Sequence, residues 1–257
     1  MNIGFEYIKY RWNAKGRHGI HSPFVYDLLD KCLKIKLADA DKKSLEALFS
    51  KLEQNKSSIE IADFGAGSKK LTHTRSIQSI FKTSSSKGKY GRLLYQLARF
   101  YSPKTILEFG TSLGVGTAYL QLGNPAAAIT TIEVCENTRK KALENFKTLG
   151  LEEIVSQQMT FDAYLKTLPA SASFDLIFVD GHHDGEALLN YMKQLRSFAH
   201  DETIFILDDI RWSTSMLHAW NEIVEDKNYH VTLDFFRFGI VVPRKHQVKE
   251  HFTLKFA

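Results

Sequence analysis

The sequence has few of the features that mark secreted, membrane or disordered proteins. Only two cysteines, Cys32 and Cys135, occur in 257 residues, and their separation gives neither a disulfide framework nor a CxxC metal pair. No apolar stretch approaches the roughly eighteen residues of a membrane span, and the N-terminus lacks the apolar core of a signal peptide. Hydrophobic residues make up 44% and charged residues 25% of the chain, as in a globular protein. We therefore expect a soluble, cytoplasmic protein with two reduced, buried thiols and no membrane partner.

Acidic residues are absent from one long stretch. None occurs between Asp63 and Glu108, where nine lysines and arginines lie. Residues 1–103 carry 19 basic and 9 acidic side chains, whereas residues 104–257 carry 15 and 20. The chain thus changes near Pro103 from a basic segment to an acidic domain. The basic 64–107 stretch leaves a nucleic-acid partner open, since such a segment can follow phosphates, but no Asn/Asp-Pro-Pro-Tyr-like motif for a base amine accompanies it.

From Lys104 onward, apolar runs of strand length alternate with amphipathic segments of helix length, which is the pattern of βαβ units. The predicted strands are 105–109, 128–132, 154–157, 174–179 and 203–207. The predicted helices are 115–122, 137–149, 161–168, 185–199 and 213–226. Two further strand-like pieces, YHVTLDFF and FGIVVP, are so close in sequence that only an antiparallel hairpin fits. The pattern predicts an α/β fold: a doubly wound, mostly parallel sheet that ends in a C-terminal antiparallel hairpin.

The first hundred residues have a helical pattern, with Ser22-Pro23 as a helix start and another helix at 41–54. We therefore predict an N-terminal helical extension, 1–86, ahead of the α/β domain, 87–257. The glycine pair in IADFGAGSKK (61–70) is not expected to form a nucleotide loop, because no strand-length apolar run precedes it and no ribose-binding acid follows.

A glycine-rich turn, EFGTSLGVGT, follows the first strand of the α/β domain. Such a turn lets a ligand approach backbone amides at the start of a helix. Its spacing is not the GxGxxG of dinucleotide enzymes, and Glu108, two residues before Gly110, indicates a ligand with an amino group. The second strand ends at Glu133, where a carboxylate can accept both hydroxyls of a ribose.

Carboxylates also follow the fourth and fifth strands of the domain, at the edge where open α/β sheets bind ligands. Asp180 begins the sequence DGHHD, and Asp208 and Asp209 follow the fifth strand. Adjacent strand ends can bring these three carboxylates to one hard divalent cation, Mg²⁺ or Mn²⁺. The alternative is that acids at strand ends cap the next helix, as we expect of Asp184.

The run ILEFGTSLGVGTAYL, followed by ITTIE and FDLIFVDGHH, resembles class I S-adenosylmethionine-dependent methyltransferases. Over residues 87–243 the resemblance is closest to metal-dependent O-methyltransferases of the catechol and antibiotic-sugar types, in which Lys87-Gly88 also has a counterpart. It implies a Rossmann-like methyltransferase domain with S-adenosylmethionine as cofactor and Mg²⁺ or Mn²⁺ as metal.

The resemblance also implies roles for individual residues. The cofactor-binding set is Glu108, Gly110, Thr111, Gly114, Glu133, Asp162, Ala163 and Asp180. The metal ligands are Asp180, Asp208 and Asp209. His183 matches the histidine of the sugar-type enzymes and becomes the catalytic base, whereas His182 is structural or faces the substrate. One departure is Phe161, where such enzymes often have glycine.

The reaction that follows is methyl transfer to an oxygen of a small hydroxylated acceptor, assisted by a divalent cation. Two alternatives stay open: an RNA methyltransferase that uses the 64–107 stretch, and a cofactor-binding interaction protein without catalysis. A homodimer is compatible with the sequence. The aromatic residues near the C-terminus are expected to be core residues: Trp212, Trp220, Phe235, Phe236 and Phe238.

Overall fold

The computed structural model describes residues 1–17, 20–63 and 71–256. The helices within these ranges are α1 (Ile3–Asn13), α2 (Pro23–Asp30), α3 (Asp39–Gln54), α4 (Ile77–Ser84), α5 (Gly88–Tyr101), α6 (Val115–Gly123), α7 (Glu136–Leu149), α8 (Phe161–Thr167), α9 (Gly185–Leu195) and α10 (Thr214–Glu225). The strands are β1 (Ser58–Asp63), β2 (Leu71–Ser76), β3 (Thr105–Phe109), β4 (Ala128–Ile132), β5 (Val155–Gln157), β6 (Phe174–Val179), β7 (Ala199–Leu207), β8 (Val231–Asp234), β9 (Gly239–Val242) and β10 (Glu250–Thr253). Short 3-10 turns, Cys32–Lys34 and Arg196–Phe198, follow α2 and α9. None of the helices in the described ranges has both the length and the apolar character that a bilayer crossing requires.

Eight strands form one mixed sheet in the order β10-β8-β9-β7-β6-β3-β4-β5. β4 pairs parallel with β5 and β6 with β7, whereas β9 runs antiparallel to β7 and β8. The predicted α/β class, with its mostly parallel sheet and C-terminal hairpin, is confirmed. The added strand β10 pairs parallel with β8, and the sequence does not predict it because EHFT is short and half polar.

The hairpin of β1 and β2 contradicts the helical interpretation of the first hundred residues. The two strands pair antiparallel, with Ile59 opposite Arg75 and Ile61 opposite His73. Their polar, β-branched composition carries no strand-length apolar run, which is why the pattern misses them. A strand therefore does precede the glycine pair of IADFGAGSKK, although it contains no strand-length apolar run. Residues 64–70 themselves lie outside the described residues.

Contacts divide the described chain into two compact units. One contains residues 1–30, 105–107 and 165–257, and the other contains residues 31–104 and 108–164. In the first unit, the Tyr10 hydroxyl donates to the Leu254 carbonyl at 2.5 Å. In the second unit, α5 packs on α6, and Gly91 lies against the ring of Tyr119. The boundary between 86 and 87 stays a prediction from the sequence.

The C-terminal aromatic residues follow the expectation with one exception. Trp220, Phe235 and Phe238 are buried in the first unit, and Phe236 is half-buried with its ring centroid 5.0 Å from that of Tyr7. Trp212, in contrast, is 66% exposed. Its assignment to the core is wrong, because it lies in the turn before α10 rather than on the buried face of the helix.

Gly91 tests the packing of α5 on α6. A methyl group at this position would lie 2.2 Å from Cε2 of Tyr119 and 2.7 Å from the Ser86 carbonyl oxygen. Although alanine favours helices, we expect Gly91→Ala to lower the free energy of unfolding by about 1–3 kcal/mol, as overpacking does. Urea denaturation measures the change. Gly4→Ala, in the exposed first turn of α1, is the matched control and should change stability by less than about 0.5 kcal/mol. Equal effects of the two substitutions would contradict the tight α5–α6 contact.

Candidate active site

The glycine turn after β3 has the backbone conformation that its sequence predicts. Gly110, Ser112 and Gly114 have φ values of 98°, 48° and 77°, and the Gly114 amide donates to the Thr111 carbonyl at 2.7 Å. A Cβ on Gly114 would lie 2.5 Å from the ring of Phe146, so both its φ and its surroundings demand glycine. The turn thus leads directly into α6, with Gly114 as the N-cap residue of the helix.

Glu108 is buried below this turn. Its carboxylate accepts hydrogen bonds from the hydroxyls of Thr117 and Thr131, the latter at 2.5 Å, and only 1% of the residue is exposed. Burial raises the pKa of Glu108 to about 7, against the opposing effect of the two threonine hydrogen bonds. The carboxylate of Glu108 is therefore enclosed by protein and held by its two threonine partners.

Glu133 lies at the end of β4 and is joined to the turn. One carboxylate oxygen accepts the Ser112 amide at 2.8 Å, and the other accepts the Cys135 amide at 2.9 Å. Burial raises the pKa of Glu133, while these two amide bonds lower it. The carboxylate is thus held in place by backbone donors on both sides.

The hairpin strand β1 packs beside the residues that follow Glu133, a contact that the sequence analysis missed. The Asn137 side-chain amide donates to the Glu60 carbonyl at 2.8 Å. The Ala62 amide lies 3.4 Å from Cys135 Sγ. The thiol of Cys135 is buried, as predicted. The only sequence signal for this contact is the alternation of Ile59 and Ile61 with polar residues.

Two residues of the implied cofactor-binding set, Asp162 and Ala163, lie in the first turn of α8. Asp162 is half-buried and Ala163 is exposed, and the Ala163 amide donates to the Thr160 hydroxyl at 3.2 Å. Phe161, the departure from the family pattern, stacks on Phe109 with a centroid distance of 4.5 Å and an interplanar angle of 1°. An aromatic ring therefore occupies the position where relatives often have glycine.

The first unit contains the three carboxylates predicted to bind a metal. The Asp208 side chain is fully buried, and the Asp208 amide donates to the Val179 carbonyl at 2.9 Å. Burial and the neighbouring Asp208 carboxylate raise the pKa of Asp180 well above its ordinary value, and the same two causes raise that of Asp209. The structure thus brings Asp180, Asp208 and Asp209 together, as the strand-end argument expects.

A guanidinium group pairs with two of these carboxylates. Arg237 donates from Nε to Asp208 at 2.6 Å and from Nη2 to the other Asp208 oxygen. Its Nε also lies 3.1 Å from an Asp209 oxygen. Burial lowers the pKa of Arg237, but the hydrogen bond and charge of Asp208 outweigh burial and raise it. Sequence reasoning missed Arg237, although a lone arginine in the apolar run FFRFG was a signal.

The carboxylates as placed do not fit the predicted cation. Among the described residues, no group of three His, Cys, Asp or Glu side chains is arranged to hold a metal ion. The more direct observation is that Arg237 already uses both oxygens of Asp208. We therefore assign no chemical step to a metal.

The two adjacent histidines have different surroundings. His182 has a φ of 69°, and its Nδ1 lies 2.7 Å from the Tyr191 hydroxyl, which indicates a structural role. The His183 side chain is 36% exposed, with its Nδ1 3.8 Å from an Asp209 oxygen. Its ring centroid lies 5.8 Å from that of the exposed Trp212. The sequence analysis places Trp212 in the core, so it does not predict this position beside His183.

Asp184 caps the start of α9. Helix capping was the alternative to metal binding for acids at strand ends. Its carboxylate accepts the Ala187 amide at 3.0 Å at the start of α9. The prediction that Asp184 caps this helix is confirmed. This leaves Asp180, Asp208 and Asp209 as the acids with surroundings that helix capping does not explain.

Comparisons with known proteins find a matching domain model and similar folds. Residues 107–210 match the family model of a methyltransferase domain. Similar solved structures include an O-methyltransferase from Bacillus cereus in complex with SAH (16% identity, 85% of this chain and 95% of that chain covered, TM-score 0.57). Another is the SAH-bound methyltransferase PaMTH1 from Podospora anserina (18% identity, 90% of this chain and 97% of that chain covered, TM-score 0.56). A third is the O-methyltransferase TomG from Streptomyces achromogenes, which is involved in tomaymycin synthesis and was solved in complex with SAM. Its identity is 15%, 85% of this chain and 96% of that chain are covered, and the TM-score is 0.56.

At these identities, the structural likeness shows the fold, which is that of class I methyltransferases. The family match adds that residues 107–210 are a methyltransferase domain. The resemblance drawn from ILEFGTSLGVGTAYL is thus confirmed at the level of a methyltransferase domain with this fold.

The raised pKa of Glu108 predicts a pH dependence of stability. Between the ordinary value of 4.5 and the folded value of about 7, the native state keeps a proton that the unfolded state has lost. The free energy of unfolding therefore falls as pH rises through this window and is unaffected by Glu108 above it. Glu108→Gln does not titrate, so its stability relative to the parent should rise by about 3 kcal/mol from pH 4.5 to 7.

Urea denaturation at several pH values measures this difference. Glu153→Gln, at an exposed position, is the control and should follow the parent protein at every pH. If Glu108→Gln also runs parallel to the parent, Glu108 is ionised in the folded protein and the proposed burial effect is wrong.

Proposed function

We propose that this protein transfers the methyl group of S-adenosylmethionine to an oxygen of a small hydroxylated acceptor. The observation that carries the proposal is the link between Glu133 and the glycine turn. Ser112, inside the turn, donates its amide to the carboxylate that ends β4. A glycine turn at the start of a helix, joined to a fixed carboxylate, suits a ligand with both an amino-acid group and a ribose.

The assignment of individual residues to the cofactor is part of this proposal. Gly110, Thr111 and Gly114 approach the amino-acid group, with Glu108 behind them, and Glu133 accepts the ribose hydroxyls. The adenine lies beside Asp162 and Ala163. When bound, S-adenosylmethionine supplies an electrophilic methyl group on a sulfonium.

Oxygen as the accepting atom is supported by the kinds of protein that share the fold. The Bacillus cereus and Streptomyces achromogenes proteins are O-methyltransferases, and the latter takes part in tomaymycin synthesis. His183 is the proposed catalytic base: its imidazole takes the proton of the acceptor hydroxyl. The oxygen lone pair then forms the new bond to the methyl carbon, and the electrons of the carbon–sulfur bond stay on sulfur. Trp212, exposed beside His183, offers a flat apolar surface for the acceptor.

The divalent cation remains a prediction of the sequence that this reaction scheme does not require. A cation bound by Asp180, Asp208 and Asp209 would lower the pKa of the acceptor hydroxyl. The ion pairs of Arg237 with Asp208 and Asp209 oppose such binding. The scheme therefore relies on the imidazole of His183 and on alignment of the reactants.

Cofactor affinity tests the role of Glu133. Glu133→Ala removes a charged acceptor of two ribose hydroxyls, so it should weaken the binding of S-adenosylhomocysteine by about 1–3 kcal/mol. Isothermal titration calorimetry measures this directly and needs no acceptor. Glu136→Ala, three residues later on the exposed surface of α7, should leave the affinity unchanged. Equal affinities for the parent and Glu133→Ala would remove the ribose assignment.

Turnover tests the role of His183. His183→Ala should reduce methyl transfer roughly 10²–10⁴-fold, as loss of a positioned base does, with little change in S-adenosylhomocysteine affinity. The assay follows release of S-adenosylhomocysteine with a panel of catechols and hydroxylated sugars as probe acceptors. His182→Ala, which removes the Tyr191 contact instead, should cost much less turnover per folded molecule. Similar losses in both variants would show that His183 is not the base.

A further inference from the structure

Arg237 contacts the carboxylate cluster through a fork of nitrogen donors. Nε and Nη2 bind the two oxygens of Asp208, and Nε also lies 3.1 Å from Asp209 Oδ1. Asp208 Oδ1 accepts a third bond, from the Asp209 amide at 2.6 Å. Because a carboxylate has about four acceptor positions, these bonds leave Asp208 little capacity for a metal ion. A cation that bound both oxygens of Asp208 would have to break the fork.

The turn between β8 and β9 fixes the position of this arginine. The Arg237 amide donates to the Phe235 carbonyl at 3.0 Å, and the Arg237 carbonyl accepts the Ile210 amide at 3.0 Å. Phe235 and Phe238, on either side, are fully buried, and the guanidinium lies 5.7 Å from the centroid of the Phe238 ring. The backbone of Arg237 is thus tied to the segment that follows Asp209, so the guanidinium is a built-in part of the cluster.

Arg237 also reaches the proposed base through one intermediate residue. Asp209 Oδ1 faces Arg237 Nε, while Asp209 Oδ2 lies 3.8 Å from His183 Nδ1. A guanidinium that holds one oxygen of Asp209 restricts the direction of the other. Arg237 is therefore suited to position His183 through Asp209.

We propose that the guanidinium of Arg237 permanently takes the place of a divalent cation among Asp180, Asp208 and Asp209, so that this cluster binds no metal and Arg237 acts as a positioning residue for His183. A guanidinium supplies a fixed positive charge at any physiological pH and two parallel donors that match a carboxylate. Its link to His183 rests on the proposed function, whereas the exclusion of metal does not.

Metal binding is the decisive measurement, with Mn²⁺ as the probe. Electron paramagnetic resonance and calorimetry should detect no saturable binding of millimolar Mn²⁺ to the parent protein. Arg237→Met should gain saturable binding, because it frees the carboxylate oxygens that a hard cation prefers. Mn²⁺ should correspondingly raise the melting temperature of Arg237→Met and leave that of the parent unchanged.

The double variant Asp208→Asn with Arg237→Met is the matched control. It removes the buried carboxylate together with its partner, so it should fold without the arginine and should not bind Mn²⁺. Should Arg237→Met fail to fold, the parent and the double variant still decide the metal question. Saturable Mn²⁺ binding by the parent protein that Asp208→Asn abolishes would overturn the proposal and restore the metal site predicted from the sequence.

Two further readouts separate this inference from the proposed function. S-adenosylhomocysteine should bind the parent and Arg237→Lys with similar affinity, and absence of binding to the parent would refute the proposed function alone. Methyl transfer by the parent should withstand complete chelation by EDTA, and a loss restored by Mg²⁺ would refute the Arg237 proposal alone. Arg237→Lys keeps the charge without the fork, so it should lower turnover while exclusion of Mn²⁺ persists.

Discussion

A buried carboxylate must be hydrogen-bonded, paired with a cation or protonated, and this constraint shapes each part of the candidate active site. Glu108 accepts two threonine hydroxyls and has a pKa raised to about 7. Glu133 remains at the end of its strand because backbone amides bind both of its oxygens. Asp208 is fully buried and pairs with Arg237. The glycine turn and the C-terminal hairpin are thus arranged partly around acids that would otherwise destabilise the strand ends.

The hydrogen-bond partners of each acid determine how its carboxylate can interact with a ligand. The threonine partners of Glu108 are themselves buried, so Glu108 affects the turn through them. Glu133 is held by main-chain donors that do not depend on a ligand, and its remaining lone pairs therefore have a fixed direction before any hydroxyl arrives. Such preorganisation reduces the entropy that binding would otherwise cost. The same type of residue at two strand ends is thus held by buried hydroxyls in one case and by main-chain amides in the other.

Local sequence patterns predicted the central elements, because the information for them lies within a few residues. The apolar run of β3, the glycines that follow it and the start of α6 needed no distant contact to be recognised. The hairpin of β1 and β2 could not be predicted in this way, since its polar strands are stabilised partly by α7, where Asn137 bonds Glu60 across 77 positions. Arg237 was missed for a similar reason: its partner Asp208 is 29 positions away, and no spacing rule links a hairpin arginine to a strand-end acid. The sequence therefore predicted which acids come together, but it did not predict what neutralises them.

The backbone next to the strand ends separates residues that look equivalent in the sequence. His182 and Asp209 have φ values of 69° and 51°, a left-handed conformation that costs a non-glycine residue roughly 1–2 kcal/mol. At the first of these positions, two adjacent histidines have different neighbours: His182 contacts Tyr191, and His183 lies near Asp209 and Trp212. At the second, the same conformation lets Asp209 lie between Arg237 and His183 while its own amide bonds Asp208. Strain of this kind persists where the direction of a side chain matters more than local stability. The left-handed backbone at these two positions therefore separates each residue from its sequence neighbour and accompanies the approach of His183 to Asp209.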